Sequence, residues 1–202
     1  MNLQQVKRNY VIDVAKDLFL SRSISLVTIK DIALKAGVGE MTIYRYFQKK
    51  QTIVIEVAIS IQKEIVSYFD LSKGNNGLEK LSIFFNAFLK IFEDSPRLYQ
   101  FINEFDSYML SLDIEESLDG YEESLVPFKN SFKEAYKQGL EDGSTKEIED
   151  IDLFYFSSTH SLIELCKKLS SGKGLLKQDQ LLSKHKEISM LINVLLNYVK
   201  HS

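Results

Sequence analysis

The sequence predicts an all-α fold. Apolar residues recur at three- and four-residue spacings through most of the chain. Strand-like alternation is scarce, and only two prolines occur, Pro96 and Pro127. The first helix is expected over about Gln5 to Ser21, with Val11, Val14, Ala15 and Leu18 on its buried face. Thr28 opens the second. Its hydroxyl is placed to cap the amide three residues on, where Asp31 completes a capping box. Ile29, Ile32, Ala33 and Ala36 then form one apolar face, and Gly37 stops the helix in the left-handed conformation that glycine adopts without steric cost. A short third helix starts about two residues later. A long helix is expected from Gln51 to Leu71, striped by Ile53, Val54, Val57, Ala58, Ile61, Ile65 and Tyr68. SKGNNG, residues 72–77, reads as a loop. Further helices are expected at about 78–93, 97–112, 121–142, 150–170 and 178–200. They are punctuated by Asp94-Ser95-Pro96, by Gly139 to Ser144, and by SSGKG at 170–174. No internal repeat or low-complexity segment is evident.

The helix, glycine turn and short helix between Thr28 and Lys50 have the spacing of a helix-turn-helix, whose second helix enters the DNA major groove. At roughly 100° per residue, Ile43 and Phe47 fall on one side of that helix and are expected to bury. Met41, Thr42 and Arg45 fall opposite, with Tyr44 and Tyr46 on the flanks and Gly39 and Glu40 at the leading end. Arginine bonds guanine bidentately, and threonine and tyrosine hydroxyls reach phosphates. The free amides after Gly39 favour a phosphate. The candidate DNA-binding residues are Thr28, Lys30, Gly39, Glu40, Met41, Thr42, Tyr44, Arg45, Tyr46 and Lys50, the last expected to reach the phosphate backbone.

Charge is distributed accordingly. The net charge of −3 conceals nine Lys/Arg against four Asp/Glu in residues 1–50, a net of +5, and −8 over the remaining 152 residues. A basic head on an acidic body directs the head at phosphates. Lys7 and Arg8 are expected to form a short basic arm. One cysteine, Cys166, excludes an intramolecular disulfide. The N-terminus is polar, unlike a signal peptide. No apolar run approaches the roughly 20 residues of a membrane helix. A cytoplasmic protein is expected.

Residues 11 to 50 resemble the DNA-binding domain of TetR-family transcriptional repressors. Ala15, Leu18, Phe19, Thr28, Ile29, Asp31-Ile32-Ala33, Ala36-Gly37-Val38, Thr42, Tyr44, Tyr46-Phe47 and Lys50 carry the resemblance. Ser23 stands where the family usually has a glycine ending its first helix, so that end is expected to be capped differently. Gly39 replaces a common serine and Met41 a common glycine or proline, while Glu40 adds a negative charge. Without the serine a side-chain phosphate contact is expected to be lost, and Met41 and Glu40 bear on base preference. The resemblance implies a domain boundary near residue 50, with a DNA-binding domain at 1–50 and an effector-binding and dimerisation domain at 51–202. It also implies that the helix after the motif transmits ligand binding to the recognition helices. EAYKQGLEDG, Glu134 to Gly143, is similar to the family's glycine-marked end of a long core helix.

Aromatic residues concentrate in the larger domain. Phe84, Phe85, Phe88 and Phe92 share one helix, Tyr99, Phe101, Phe105 and Tyr108 the next, and Phe128, Phe132 and Tyr136 follow at i, i+4 and i+8. Each alone reads as core. As a set, with the ligand cavity the resemblance implies, they suggest a pocket. Phe85, Phe88, Phe92, Phe101, Phe105, Tyr108, Phe128 and Phe132 are its candidate lining. A cationic lipophile would suit the rings with a carboxylate such as Glu104, whereas a neutral apolar ligand needs only the rings.

The last two helices carry wide apolar stripes: Phe154, Ser158, Leu162, Leu165 and Leu169, then Ile188, Leu191, Ile192, Leu195, Leu196 and Val199. Ser157, Ser158 and Ser161 permit close approach. The resemblance implies that these helices pair with their symmetry mates, and a homodimer suits two half-sites. His160, His185 and His201 have no metal-binding spacing, and Glu115-Glu116 and Glu122-Glu123 read as solvated faces. No P-loop, nucleophile elbow or dinucleotide fingerprint occurs, so no enzyme and no cofactor is expected. The expected function is a dimeric repressor that binds a palindromic double-stranded DNA operator and is released by a small-molecule effector. The alternative is an architectural or division-control protein of the same fold, bound to DNA and regulated by a protein partner.

Overall fold

The computed structural model describes residues 3–112, 118–172 and 181–201. Its α-helices are α1 Leu3–Ser21, α2 Ile29–Ala36, α3 Glu40–Phe47, α4 Lys50–Ile65, α5 Gly77–Asp94, α6 Pro96–Ser111, α7 Asp119–Glu141, α8 Ile151–Ser170 and α9 Lys184–Val199. Among the described residues the one β-type pairing is an isolated bridge between Thr145 and Lys200. The last helix, expected from 178, starts at Lys184. Residues 178–180 and the Glu115-Glu116 patch lie outside the described residues.

The long helix expected to reach Leu71 is shorter. It ends at Ile65, tightens into a 3₁₀ turn at Val66–Phe69, and is followed by a second turn at Leu71–Lys73. The Asp70 carboxylate accepts hydrogen bonds from the Ser72 amide at 3.2 Å and the Ser72 hydroxyl at 2.5 Å. Such local side-chain bonds offer the backbone an alternative to the helix. The change of pitch also moves the inward position. Phe69 is buried, and Tyr68 is only half-buried.

The chain divides into two compact units, residues 1–64 with 100–124, and residues 65–99 with 125–202. The unit holding the helix-turn-helix thus takes in most of α6, which chain order places after residue 50. In this unit α1 packs on α2, and α2 on α3. The expected face of α1 is buried, and Ile12 and Phe19 join it. The N-terminal basic arm is not an arm: Lys7 and Arg8 lie within α1. The Arg8 guanidinium is bonded to the Glu56 carboxylate and sits 4.8 Å from the centre of the Phe47 ring. An acceptor on α4 and an aromatic face on α3 together hold it inside the unit.

In the second unit α5, α8 and α9 pack on one another, and rings fill the space beside them. Phe84 lies 5.1 Å from Phe69, 5.6 Å from Phe85 and 5.3 Å from Phe132 by ring centres. Phe69 meets Phe128 at 4.9 Å, and Phe132 meets Tyr155 at 5.2 Å. Most of these pairs are edge-on or tilted, the arrangement that ring quadrupoles favour. The start of α5 is held by the end of α7. The Asp142 carboxylate accepts the Gly77 amide at 2.8 Å, and Ser144 Oγ accepts the Leu78 amide at 3.0 Å. Asn76 caps the Glu79 amide at 2.9 Å. Three of the amides that a helix start leaves unpaired are thereby satisfied.

Candidate nucleic-acid interface

The motif is built as its residues dictate. Thr28 and Asp31 form a reciprocal capping box, with the Asp31 amide donating to Thr28 Oγ1 at 3.1 Å and the Thr28 amide to Asp31 Oδ2 at 2.8 Å. The Thr28 hydroxyl also donates to Asp31, and these bonds hold the Asp31 carboxyl below the usual carboxylate range. Gly37 closes α2 at φ 66°, and the Val38 amide bonds the Ala33 carbonyl. Gly39 precedes α3 without any side-chain cap. At the far end Gln48 takes φ 60°, and its amide donates to the Tyr44 carbonyl at 2.8 Å. This reversal lets α4 begin at Lys50.

Ile43 and Phe47 are 0% and 1% exposed, while Met41 is 80% exposed. Gly39, Glu40, Tyr44, Arg45 and Lys30 are exposed, and Thr42 and Tyr46 half-buried. The Arg45 guanidinium lies 5.3 Å from the centre of the Tyr46 ring. The exposed side chains of α3 therefore include one cation, one carboxylate, one thioether and one tyrosine hydroxyl.

Lys50 is engaged within the chain. Its ammonium donates to the carbonyl of Ile24 and sits 5.3 Å from the Tyr108 ring centre. Burial pushes its pKa below the usual lysine value, an effect that Asp31 partly offsets. The other side of the same residue is held as well, because the Ile24 amide donates to Glu104 Oε2 at 2.6 Å. The Ile24 peptide, in the 3₁₀ turn Ile24–Leu26 after α1, is thus gripped at both polar atoms. That turn is how α1 ends without a glycine at Ser23. Ile24 is buried, so removing the acceptor strands its amide. Glu104→Ala is expected to lower unfolding free energy by about 1–3 kcal/mol, and Glu104→Gln by less because an acceptor remains. Urea denaturation of the two variants checks this; equal losses would mean that the hydrogen bond is not the cause.

The expected pocket lining falls into separate groups. Phe101, Phe105 and Tyr108 belong to the first unit, where Phe105 lies 6.2 Å from Phe101 and 5.0 Å from Tyr121 by ring centres. Phe85, Phe88, Phe92, Phe128 and Phe132 belong to the second. Six of the eight are buried against neighbouring side chains, and only Phe92 and Tyr108 are half-buried. Edge-on ring contacts surround Phe85, Phe88, Phe128 and Phe132.

The apolar stripes of α8 and α9 also divide. Ile188, Ile192, Val199, Ser158, Leu162 and Leu169 are buried within the chain. These serve the packing of α5, α8 and α9, while Phe154, Leu165, Leu191, Leu195 and Leu196 of the stripes are half-buried. Outward lie Leu153, Phe156, Met190, Val194 and Tyr198, all exposed, with Ser157 and Ser161 beside them. A groove lined by Leu153, Phe154, Ser157, Val194, Leu195 and Tyr198 runs along them.

Residues 11–57 match the family described as bacterial regulatory proteins, tetR family. Residues 11–57 therefore carry the DNA-binding domain of the TetR family of transcriptional regulators. It is 25% identical over 151 residues to the HTH-type transcriptional repressor KstR2 of Mycolicibacterium smegmatis, covering 74% of this chain and 72% of that protein. It is 32% identical over 85 residues to the HTH-type transcriptional regulator AlkX of Mycobacterium tuberculosis, a match spanning 42% of this chain and 38% of AlkX. The crystal structure of the regulator FadR from Bacillus subtilis, in complex with stearoyl-CoA, has the same fold. Its TM-score is 0.70 at 19% identity, covering 94% of this chain and 98% of that one. The curated relatives that it matches are transcriptional regulators. No helix among its described residues is long and apolar enough to cross a membrane. No group of His, Cys, Asp or Glu among them is arranged to hold a metal ion.

Proposed function

We propose that the chain is a dimeric, ligand-responsive repressor that binds a palindromic operator through α3. One observation carries the reading: Arg45 and Met41 stand exposed opposite the buried Ile43 and Phe47, in a segment of net charge +5. Residues 1–50 act as the DNA-binding part and 51–202 as the effector and dimer part. Arg45 contacts a base. Thr42, Tyr44 and Tyr46 reach phosphates with Lys30, Gly39 supplies backbone amides, and Glu40 and Thr28 flank the contact. Lys50, occupied by Ile24, contributes by holding the motif in place. The exposed side chains of α8 and α9 meet a second copy, which sets two α3 helices against successive grooves about 34–36 Å apart.

The effector is an apolar small molecule. The aromatic content of the larger domain and the stearoyl-CoA-bound FadR support this class, so long-chain acyl thioesters are the first compounds to test. The effector acts only through its differential affinity for the DNA-competent and released states. The filled ring packing favours a second reading, regulation by a protein partner with no small-molecule release.

The test is selection of duplexes from a random pool by the full-length protein, then titration against salt and acyl thioester. Affinity is expected to fall steeply with salt as counterions are released. Arg45→Ala is expected to weaken the selected site by about 1–3 kcal/mol and to relax preference at one base pair per half-site. Uniform weakening over all sequences would assign Arg45 to phosphate instead. Failure to select any duplex would overturn the whole reading, and operator binding that no apolar compound reverses would favour the second.

A further inference from the structure

We propose that Met41 reads the C5-methyl group of a thymine, beside the base pair that Arg45 reads. The inference rests on α3 entering the major groove. Met41 and Arg45 are four residues apart, so they lie on one face, about 6 Å apart along the helix axis. Stacked base pairs rise by roughly 3.4 Å, so the two side chains address positions within about two base-pair steps. Ile43 and Phe47 anchor the opposite face of α3 and fix which residues point outward. The Met41 side chain is 80% exposed, in contrast to the apolar residues that bury the other side.

Its chemistry narrows what it meets. A thioether donates no hydrogen bond and accepts only weakly. Phosphates and most base-edge groups in the major groove demand a donor or a strong acceptor. The thymine methyl is the apolar exception in the pattern by which bases are distinguished there. Methionine is unbranched and flexible, so it adapts to a methyl group without a preset rotamer. Singly exposed apolar residues are ordinary on protein surfaces and need no function. What sets Met41 apart is its place one turn before Arg45 on the outward side of the recognition helix.

The test uses a duplex selected by the full-length wild-type protein. Each thymine in a half-site is replaced in turn by deoxyuridine, which lacks only the methyl group. Wild type is expected to bind roughly fourfold more weakly when the contacted methyl is removed, the equivalent of one buried carbon. That thymine is expected within about two base-pair steps of the pair whose preference Arg45→Ala relaxes. Met41→Ala is expected to bind thymine and deoxyuridine equally at that position, and Met41→Leu to keep the discrimination. Because Met41 is exposed, both variants are expected to fold, and circular dichroism confirms it before titration. Discrimination that persists unchanged in Met41→Ala would overturn the proposal, as would the absence of any sensitive thymine near the Arg45 position. If no duplex is selected at all, the DNA-binding reading itself fails, a result distinct from either.

Discussion

Gly77→Ala is expected to lower unfolding free energy by about 3 kcal/mol or more, beyond the usual range for overpacking. A Cβ at Gly77 would stand 2.1 Å from the amide nitrogen and 2.2 Å from the Cα of Gly139, and 2.6 Å from the Ala135 carbonyl oxygen. All three atoms are backbone, so no side-chain rotation relieves the clash. The two helices would have to separate. Separation would break the Gly77 amide bond to Asp142 and the Leu78 amide bond to Ser144, which depend on the same approach. Gly139 is confined by a side chain instead, because a Cβ there would lie 2.5 Å from Thr145 Cγ2. Gly143, with open space around it, clashes with nothing but holds φ 75°, so Gly143→Ala is strained by conformation alone. Thermal and urea denaturation of Gly77→Ala beside wild type provide the measurement. A loss below about 1 kcal/mol would show that α5 and α7 separate easily.

Phe132→Ala is expected to cost about 3–5 kcal/mol, the range for deleting a fully buried ring. Phe132 is 0% exposed, and its ring centre lies within 6.2 Å of those of Phe84, Phe85, Phe154 and Tyr155. Removing it leaves a cavity that four rings cannot all move to fill. Phe92, half-buried with one ring neighbour at 6.4 Å, is expected to lose far less on the same truncation. The pair separates two roles for the aromatic residues. If Phe132 lined an open ligand cavity, its truncation would only enlarge existing space, and stability would change by about 1 kcal/mol or less. Urea denaturation of both variants without ligand decides between these outcomes.

The DNA-binding motif was readable from sequence because its determinants are local. The Thr28 and Asp31 capping box, the left-handed Gly37 and the burial of Ile43 and Phe47 each follow from residues within one or two helical turns. Helix order along the chain followed from periodicity for the same reason. The early end of α4 was missed because the Asp70 bond to Ser72 competes with a periodic pattern that continues beyond it.

The partners of Arg8, Lys50 and Glu104 were not legible for a different reason. Composition marks a lysine or arginine near a DNA-binding motif as a phosphate contact. Whether it is available depends on partners 48, 26 or 80 positions away in the chain, as Arg8 to Glu56, Lys50 to Ile24 and Ile24 to Glu104 show. The aromatic residues carry the same lesson. A phenylalanine suits a pocket wall and a packed core equally, and only the positions of its neighbours decide which.

The sequence by itself determined the all-α class, the helix-turn-helix and the side of α3 that faces outward, because these depend on backbone preferences and on the period of one helix. Only the tertiary structure decided which charged groups are already engaged, that the rings pack on one another, and which apolar side chains of α8 and α9 are left outside. Those outcomes depend on contacts between residues far apart in the chain, whose geometry no local pattern encodes.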